Sequence, residues 1–281
     1  MMPSDKTHQL SEENLTVPSL EGIMAKLARA MHHISEYEEA RKKWRASIVA
    51  NPPITIQENP SPPQPTFVLT SPKVDPEISP IIGDCVHNLR TCLDHLIGQL
   101  AIKEGHDIAK RSPLAFPVCT DKSAYDNFVQ TKISPFIKNL EVLQAINAIQ
   151  PYHRHEPKTD PLWVLSELDN LDKHRKLVVA SPHLISRGMQ GSVGPWENVK
   201  EETYDPVADK DLILFQIELW PHPYASAKEA GEKARTFVLR ADAKLVLANT
   251  GLPCDRWSVQ KSLRLMFDRV RKAVENLSHF L

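Results

Sequence analysis

Glycine is scarce in this sequence, nine residues in 281. Phosphate-cradling loops need glycines at fixed spacing, because only glycine lets the backbone close on a phosphate. Gly22, Gly83, Gly98, Gly105, Gly188, Gly191, Gly194, Gly231 and Gly251 assemble neither G-x-G-x-x-G nor G-x-x-x-x-G-K-[ST]. Three of them share the run RGMQGSVGP, which lacks a strand-to-helix context and reads as a loop. A dinucleotide-binding or P-loop enzyme is therefore disfavoured. G-x-S-x-G and H-E-x-x-H are also missing, which argues against an α/β-hydrolase and a zincin.

Cysteine is sparse as well. Cys85, Cys92, Cys119 and Cys254 form no C-x-x-C pair and read as buried free thiols, which suits a reducing cytoplasm. Neither sign of charge dominates: 34 Lys+Arg face 35 Asp+Glu, so no bulk field draws the chain onto nucleic acid. The longest apolar runs, LVVA and LILF, are too short to span a bilayer, so no membrane partner is expected. The stretch MMPSDKTHQLSEEN carries no basic segment before an apolar run, so no signal peptide is expected. These absences converge on a cytoplasmic protein without cofactor.

What is present is a chain whose 41% hydrophobic and 25% charged residues suit an ordinary globular core. Residues 1–18 read as a flexible tail and 19–281 as a single domain. From Ser19 to Ala50 the spacing of Leu20, Ile23, Met24, Leu27, Met31, Ile34 and Tyr37 predicts an amphipathic helix, stopped at Asn51-Pro52-Pro53. The proline-rich stretch 51–80 holds ITIQ and TFVLT, read as an edge hairpin. A helix follows from Pro80 to about Lys103. Two more occupy 121–150, separated near Ser134-Pro135, and another opens at Asp160-Pro161. KLVVAS, LILFQIEL and part of TFVLRADAKLVL are strand candidates, the last two within a β segment at 205–250. From about Asp255 a helix carries the stripe Leu263, Met266, Phe267, Val270, Val274, Leu277 and Leu281. The expected class is α+β: a mainly helical, bundle-like core with a small inserted antiparallel sheet.

The chemistry concentrates in two runs. In IGDCVHNLRTCLDHL, the residues Ile82, Cys85, Val86, Leu89, Cys92, Leu93 and Leu96 share one helix side. Asp84, His87, Asn88, Arg90, Thr91, Asp94 and His95 share the other, and none is Lys or Glu, the usual residues of a solvated face. The second run is Asp169-Asn170-Leu171-Asp172-Lys173-His174-Arg175. Asn170 and His174, four apart, would stack on one helix face. Residue types so costly to bury singly are expected to meet.

Three uses of that meeting stand open. A buried network would pair Asp84, Arg90 and Asp94 with His174 and Arg175. A metal site would take Asp84, His87 and His174, in a metal-dependent hydrolase of bundle type. An acid–base site would use histidine as proton carrier and arginine as phosphate clamp. His32-His33 reads as structural or surface. Lys261, Arg264, Arg269, Arg271 and Lys272 on the last helix read as solvated surface, or as a phosphate-tracking patch if the protein handles RNA.

The runs IGDCVHNLRTCLDHL and LDNLDKHRKL, joined by an FP…IQPY stretch, resemble a widespread bacterial family of uncharacterised proteins sharing IGDxxHNLRxxLDHL and LxNxDKHR motifs. The similarity covers roughly residues 20–180 and by itself implies no activity. Arg90, four residues and then His95 also resemble the R-x4-6-H signature of HEPN-type proteins, helical bundles of which many are metal-independent, dimeric ribonucleases. That resemblance implies His95 as acid/base, Arg90 on the phosphate, and His87 and Asp94 as tuning groups. Asp84, Asn88, Asn170, Asp172, His174 and Arg175 would support them. It also implies RNA as partner, a homodimer, and a role in stress or phage defence, or an inactive relative. A non-enzymatic interaction protein is the alternative.

Overall fold

Two long antiparallel helices form the centre of the fold, α1 (Glu21–Ala50) and α2 (Ile78–Lys103). The computed structural model describes residues 17–50, 54–60, 63–69, 72–107, 114–174, 179–185, 199–201, 212–217 and 242–281. The sequence expectations for the tail up to residue 16, for RGMQGSVGP and for part of the 205–250 segment lie outside them. Ile23–Ala50 holds no glycine or proline, which sustains a helix of this length until Pro52-Pro53 stops it. Cys85 and Cys92 of α2 turn their thiols toward the Ala30 and Ile23 carbonyls of α1, at 3.6 and 3.7 Å. The pairs 85–30 and 92–23 descend on one helix as they ascend on the other, so the helices run antiparallel.

All seven predicted apolar residues of α2 are buried, with Ile82, Cys85, Val86, Leu89, Cys92, Leu93 and Leu96 fully enclosed. The stripe of α1 differs from expectation. Ile23, Leu27, Ala30, Ile34, Tyr37, Trp44 and Ile48 face the core, whereas Leu20, Met24 and Met31 are exposed. Met24 and Met31 sit about 100° around the helix from Ile23 and Ala30, outside the arc that α2 and the last helix cover. Helix propensity fixed the element, and the neighbours chose its face.

Short helices α3 (Lys122–Phe128) and α4 (Leu140–Ala148) flank a π turn at Val129–Ile133 and the break at Ser134-Pro135. Asp121 and Asn139 cap them, each accepting backbone N–H bonds from the first turn. Next comes α5 (Pro161–His174), where the Asp160 carboxylate accepts from the Leu162 N–H at 2.8 Å. The last helix, α6 (Val259–Ser278), starts four residues later than the sequence predicts. Asp255 is occupied in the preceding turn, accepting from the Thr250 N–H and hydroxyl and from the Gly251 N–H, so Ser258 caps the helix instead. Leu263, Met266, Val270, Val274 and Leu277 are buried as predicted.

Strand segments accompany the helices. β1 (Ile54–Pro60) and β2 (Pro63–Leu69) pair antiparallel, and β5 (Leu212–Ile217) lies between β2 and β4 (Val199–Glu201). β3 (Val179–Ile185) pairs with β6 (Asp242–Ala248). Leu245, Val246, Leu247 and Ala248 of β6 are buried in succession, so this strand is covered on both faces. The bulk of the fold is helical. Among the described residues no helix is long and apolar enough to cross a membrane. All four cysteines are free and buried.

Asp160 ties three elements together. Its side chain is fully enclosed and meets the Arg154 Nε at 3.2 Å and the Arg269 Nη2 of α6 at 3.4 Å. Arg269 also donates to the Ile149 carbonyl at 2.9 Å. Removing the carboxylate strands the largely buried Arg269 and uncaps α5. Asp160→Ala is therefore expected to cost about 3–5 kcal/mol in denaturant unfolding, and a loss below about 1 kcal/mol would contradict this role.

Candidate functional site

Helices α2 and α5 cross where the two motif runs predicted contact. His87 Nδ1 lies 3.1 Å from Asp169 Oδ1. Four residues back along α2, an added Cβ on Gly83 would stand 2.8 Å from Asp172 Oδ1 and 3.1 Å from Oδ2. The contacts 87–169 and 83–172 run in opposite order, so these helices are also antiparallel. The Asp172 carboxylate rests directly on the helix backbone at Gly83, so a side chain there would displace it.

Asp169 is the buried member of the site, its side chain 3% exposed, while His87 is about half exposed. A carboxylate only accepts, so this contact is an Nδ1–H of His87 donated to Asp169, with Nε2 on the far side of the ring. Nε2 points toward the Thr91 hydroxyl, 3.4 Å away. Lys173 Nζ meets the other Asp169 oxygen at 2.6 Å. Asp169 therefore orients an imidazole on one side and a partly exposed ammonium on the other.

Asp172 completes the group. Its Oδ1 is shut off from solvent and has no hydrogen-bond partner among the described residues. Burial, then the neighbouring charges of Asp169 and Asp84, push its carboxyl above the usual carboxylate range, with His87 opposing them. The Asp172 carboxyl and the His87 imidazole thus lie one helical turn apart in register along α2.

The other predicted residues have different neighbours. Arg90 is largely buried, bonds Asp94 Oδ1 at 3.0 Å and donates to the Phe116 carbonyl at 2.8 Å. Asp94 also accepts from the Phe116 N–H at 2.9 Å, so the pair holds the Phe116 backbone at both its N–H and its carbonyl. Arg90 Nη1 is buried without a partner among the described residues. The clamp continues: Gln150, itself buried, donates to the Pro117 carbonyl at 3.0 Å and accepts from the Cys119 N–H at 3.1 Å. The FP and IQPY stretches thus pack as one backbone-locking network.

His95 is exposed and lies over α1 rather than beside Arg90; a Cβ on Gly22 would stand 3.4 Å from its Nδ1. Arg90 and His95 are five positions apart, about 140° around a helix, so α2 turns them to different neighbours. Asn88 donates back to the Asp84 carbonyl at 2.7 Å and accepts from Lys26 at 3.5 Å. Asp84 and Asn170 are exposed. The side chain of His174 and all of Arg175 lie outside the described residues, and the expected pairing of Asp84, Arg90 and Asp94 with them lies outside them as well.

Among the described residues no three His, Cys, Asp or Glu side chains converge as metal ligands. His174, on which the Asp84, His87 and His174 set depends, stands outside that group. His33 is buried against Glu36 at 2.7 Å and His32 is bonded to the same carboxylate at 3.1 Å, which fits the structural reading of that pair. On α6, Arg264 is paired with Glu38, Arg269 with Asp160, and Arg271 with Asp268 and Glu275. Much of the presumed basic patch is thereby neutralised.

Three residues of this crossing carry no role in the sequence reading: Asp169, Lys173 and Gly83. Asp169 lies seven residues after Leu162 and four after Leu165, on the stripe that α5 buries. An acid on an apolar stripe is the signal that marks it. Compared with known protein families, curated proteins and solved structures, the chain finds no match.

Proposed function

We propose that this chain is a metal-independent ribonuclease of the HEPN-like kind, or an inactive relative of one, with its acid–base centre at His87. The observation that carries the reading is the half-exposed His87 imidazole anchored through Nδ1 on the buried Asp169 carboxylate. Cleavage of RNA by its own 2′-hydroxyl needs a base near neutral pH and a cation against the charge growing on phosphorus. His87 Nε2 supplies the base. Lys173, beside the same carboxylate and partly exposed, supplies the cation. Arg90 and Asp94 act as framework that holds α2 against the Phe116 peptide. RNA is the proposed partner, and a homodimer is the assembly the HEPN resemblance implies.

Incubation of the purified protein with single-stranded RNA in excess EDTA tests this. Cleavage is expected to persist and to leave 2′,3′-cyclic phosphate and 5′-hydroxyl ends. Cleavage abolished by the chelator, or products with 5′-phosphate ends, would refute it.

The second reading is a non-enzymatic interaction protein whose Asp/His/Arg clusters are structural. The closed chain Arg90–Asp94–Phe116 and its continuation to Gln150 favour it. Intact RNA after prolonged incubation with folded protein would leave that reading in place.

A further inference from the structure

We infer that the outer face of α1 is the two-fold interface between two copies of this chain. Leu20, Met24, Ala28, Met31 and Ser35 fall within about 80° of helix surface. Leu20 belongs to the same turn, because its carbonyl takes the Met24 N–H at 2.9 Å. All five are exposed, Met24 at 53% and Met31 at 43%, and none is charged. A helix face left to water carries Lys and Glu, and the same arc does so beyond Ser35, at Glu38 and Lys42. From Met24 onward the steps of four, three and four residues are those of the seam between paired helices.

The order of the stripe says what covers it. Met24, Ala28, Met31 and Ser35 alternate large and small. Turned end for end about a point between Arg29 and Ala30, the stripe sets Met24 against Ser35 of the second copy and Ala28 against Met31. Each methionine then meets a small residue, and the contact is the same from both sides, as a two-fold dimer requires.

The charges beside the stripe agree. A groove of about 250 Å³ joins Met31, Ser35 and Glu38 of α1 to Arg264, Phe267 and Asp268 of α6. Past it α6 exposes the row Arg264, Asp268, Arg271 and Glu275. Read in reverse, that row has the opposite sign at every position. An antiparallel copy therefore finds attraction where a parallel one finds like charges. The net charge of −1 adds no long-range repulsion between copies. The interface names the surface of the homodimer in the ribonuclease reading but does not rest on cleavage, and no residue of the α2–α5 crossing lies on it.

Sedimentation of the full chain without RNA tests the interface. The unsubstituted protein is expected to be dimeric at roughly 10–100 µM, and Met31→Glu to raise the dissociation constant at least about tenfold, since it presses a charge onto Ala28 of the other copy. Disulfide trapping reads the register independently. The two copies of position 24 stand about 16 Å apart along the helices, whereas position 24 of one lies opposite position 35 of the other. A mixture of Met24→Cys and Ser35→Cys proteins is expected to form a disulfide-linked heterodimer on mild oxidation, and either protein alone is expected not to. A monomer at every concentration, a dimer indifferent to Met31→Glu, or cross-linking by each protein alone would overturn the inference and leave the chemistry at His87 standing. A trapped heterodimer that leaves RNA intact would instead overturn the ribonuclease reading and keep the interface.

Discussion

His87→Ala is expected to lower RNA cleavage about 10²-fold or more while leaving the thermal unfolding temperature nearly unchanged. The separation of the two effects follows from where His87 sits. The imidazole is half exposed, so its removal opens no cavity in the core, and Asp169 keeps its 2.6 Å partner Lys173. What is lost is the only nitrogen base anchored at the α2–α5 crossing among the described residues. Lys173 would remain, but as a charge rather than a base near neutrality. Circular dichroism melts and cleavage rates on the same preparation check this. A fall in melting temperature equal to that of a core variant, with little change in rate, would make His87 structural.

Arg90→Ala is expected to do the reverse, and strongly. The guanidinium is 11% exposed and the Asp94 side chain 30% exposed. Truncation removes the donor to the Phe116 carbonyl and leaves Asp94 with the Phe116 N–H alone. A loss of about 2–3 kcal/mol in chemical unfolding at neutral pH is the expected result. Its pH dependence has a definite sign. Burial raises the Asp94 carboxyl above its ordinary range, while Arg90 and the Phe116 N–H act to lower it. A folded-state value above the unfolded one means that the folded protein binds more protons in the window just above the ordinary carboxylate range. Stability therefore falls as pH rises through that window. Without Arg90 the largest lowering cause is gone, so the window extends upward. The stability deficit of Arg90→Ala should shrink toward pH 4 and grow toward pH 7. Unfolding curves at several pH values check it, and a deficit independent of pH would contradict the clamp.

The two variants together separate framework from chemistry, which the sequence reading could not do. Arg90 and His95 look like a pair because they stand five positions apart on one polar face. A polar face spans a wide arc, and α2 has neighbours on both of its sides. The FP stretch closes on Arg90, and α1 passes beneath His95. Which polar residues meet which partner depends on those packings, and no local spacing carries that information.

Other parts were legible. The apolar stripe of α2 emerged residue for residue because a central helix, covered on several sides, leaves no choice of face. The α5 start at Asp160-Pro161 was written in capping chemistry. On α1 the helix was legible but its face was not, since methionines at 24 and 31 extend the apolar arc beyond what is covered. The meeting of the two motif runs followed from burial cost. Its particulars did not: Asp169 and Gly83 act through a contact that only the α2–α5 crossing creates, and the seven-residue relation of Asp169 to Leu162 was the one local trace of it.

Chemical rescue tests the central claim most directly. His87→Ala should cleave single-stranded RNA poorly in EDTA, and added imidazole should restore part of the rate in proportion to its concentration, because the vacated site still has Asp169 to orient a ring. The same addition should leave the unsubstituted protein unaffected. RNA cleaved equally well by His87→Ala and by the unsubstituted protein, with imidazole indifferent to both, would contradict the account.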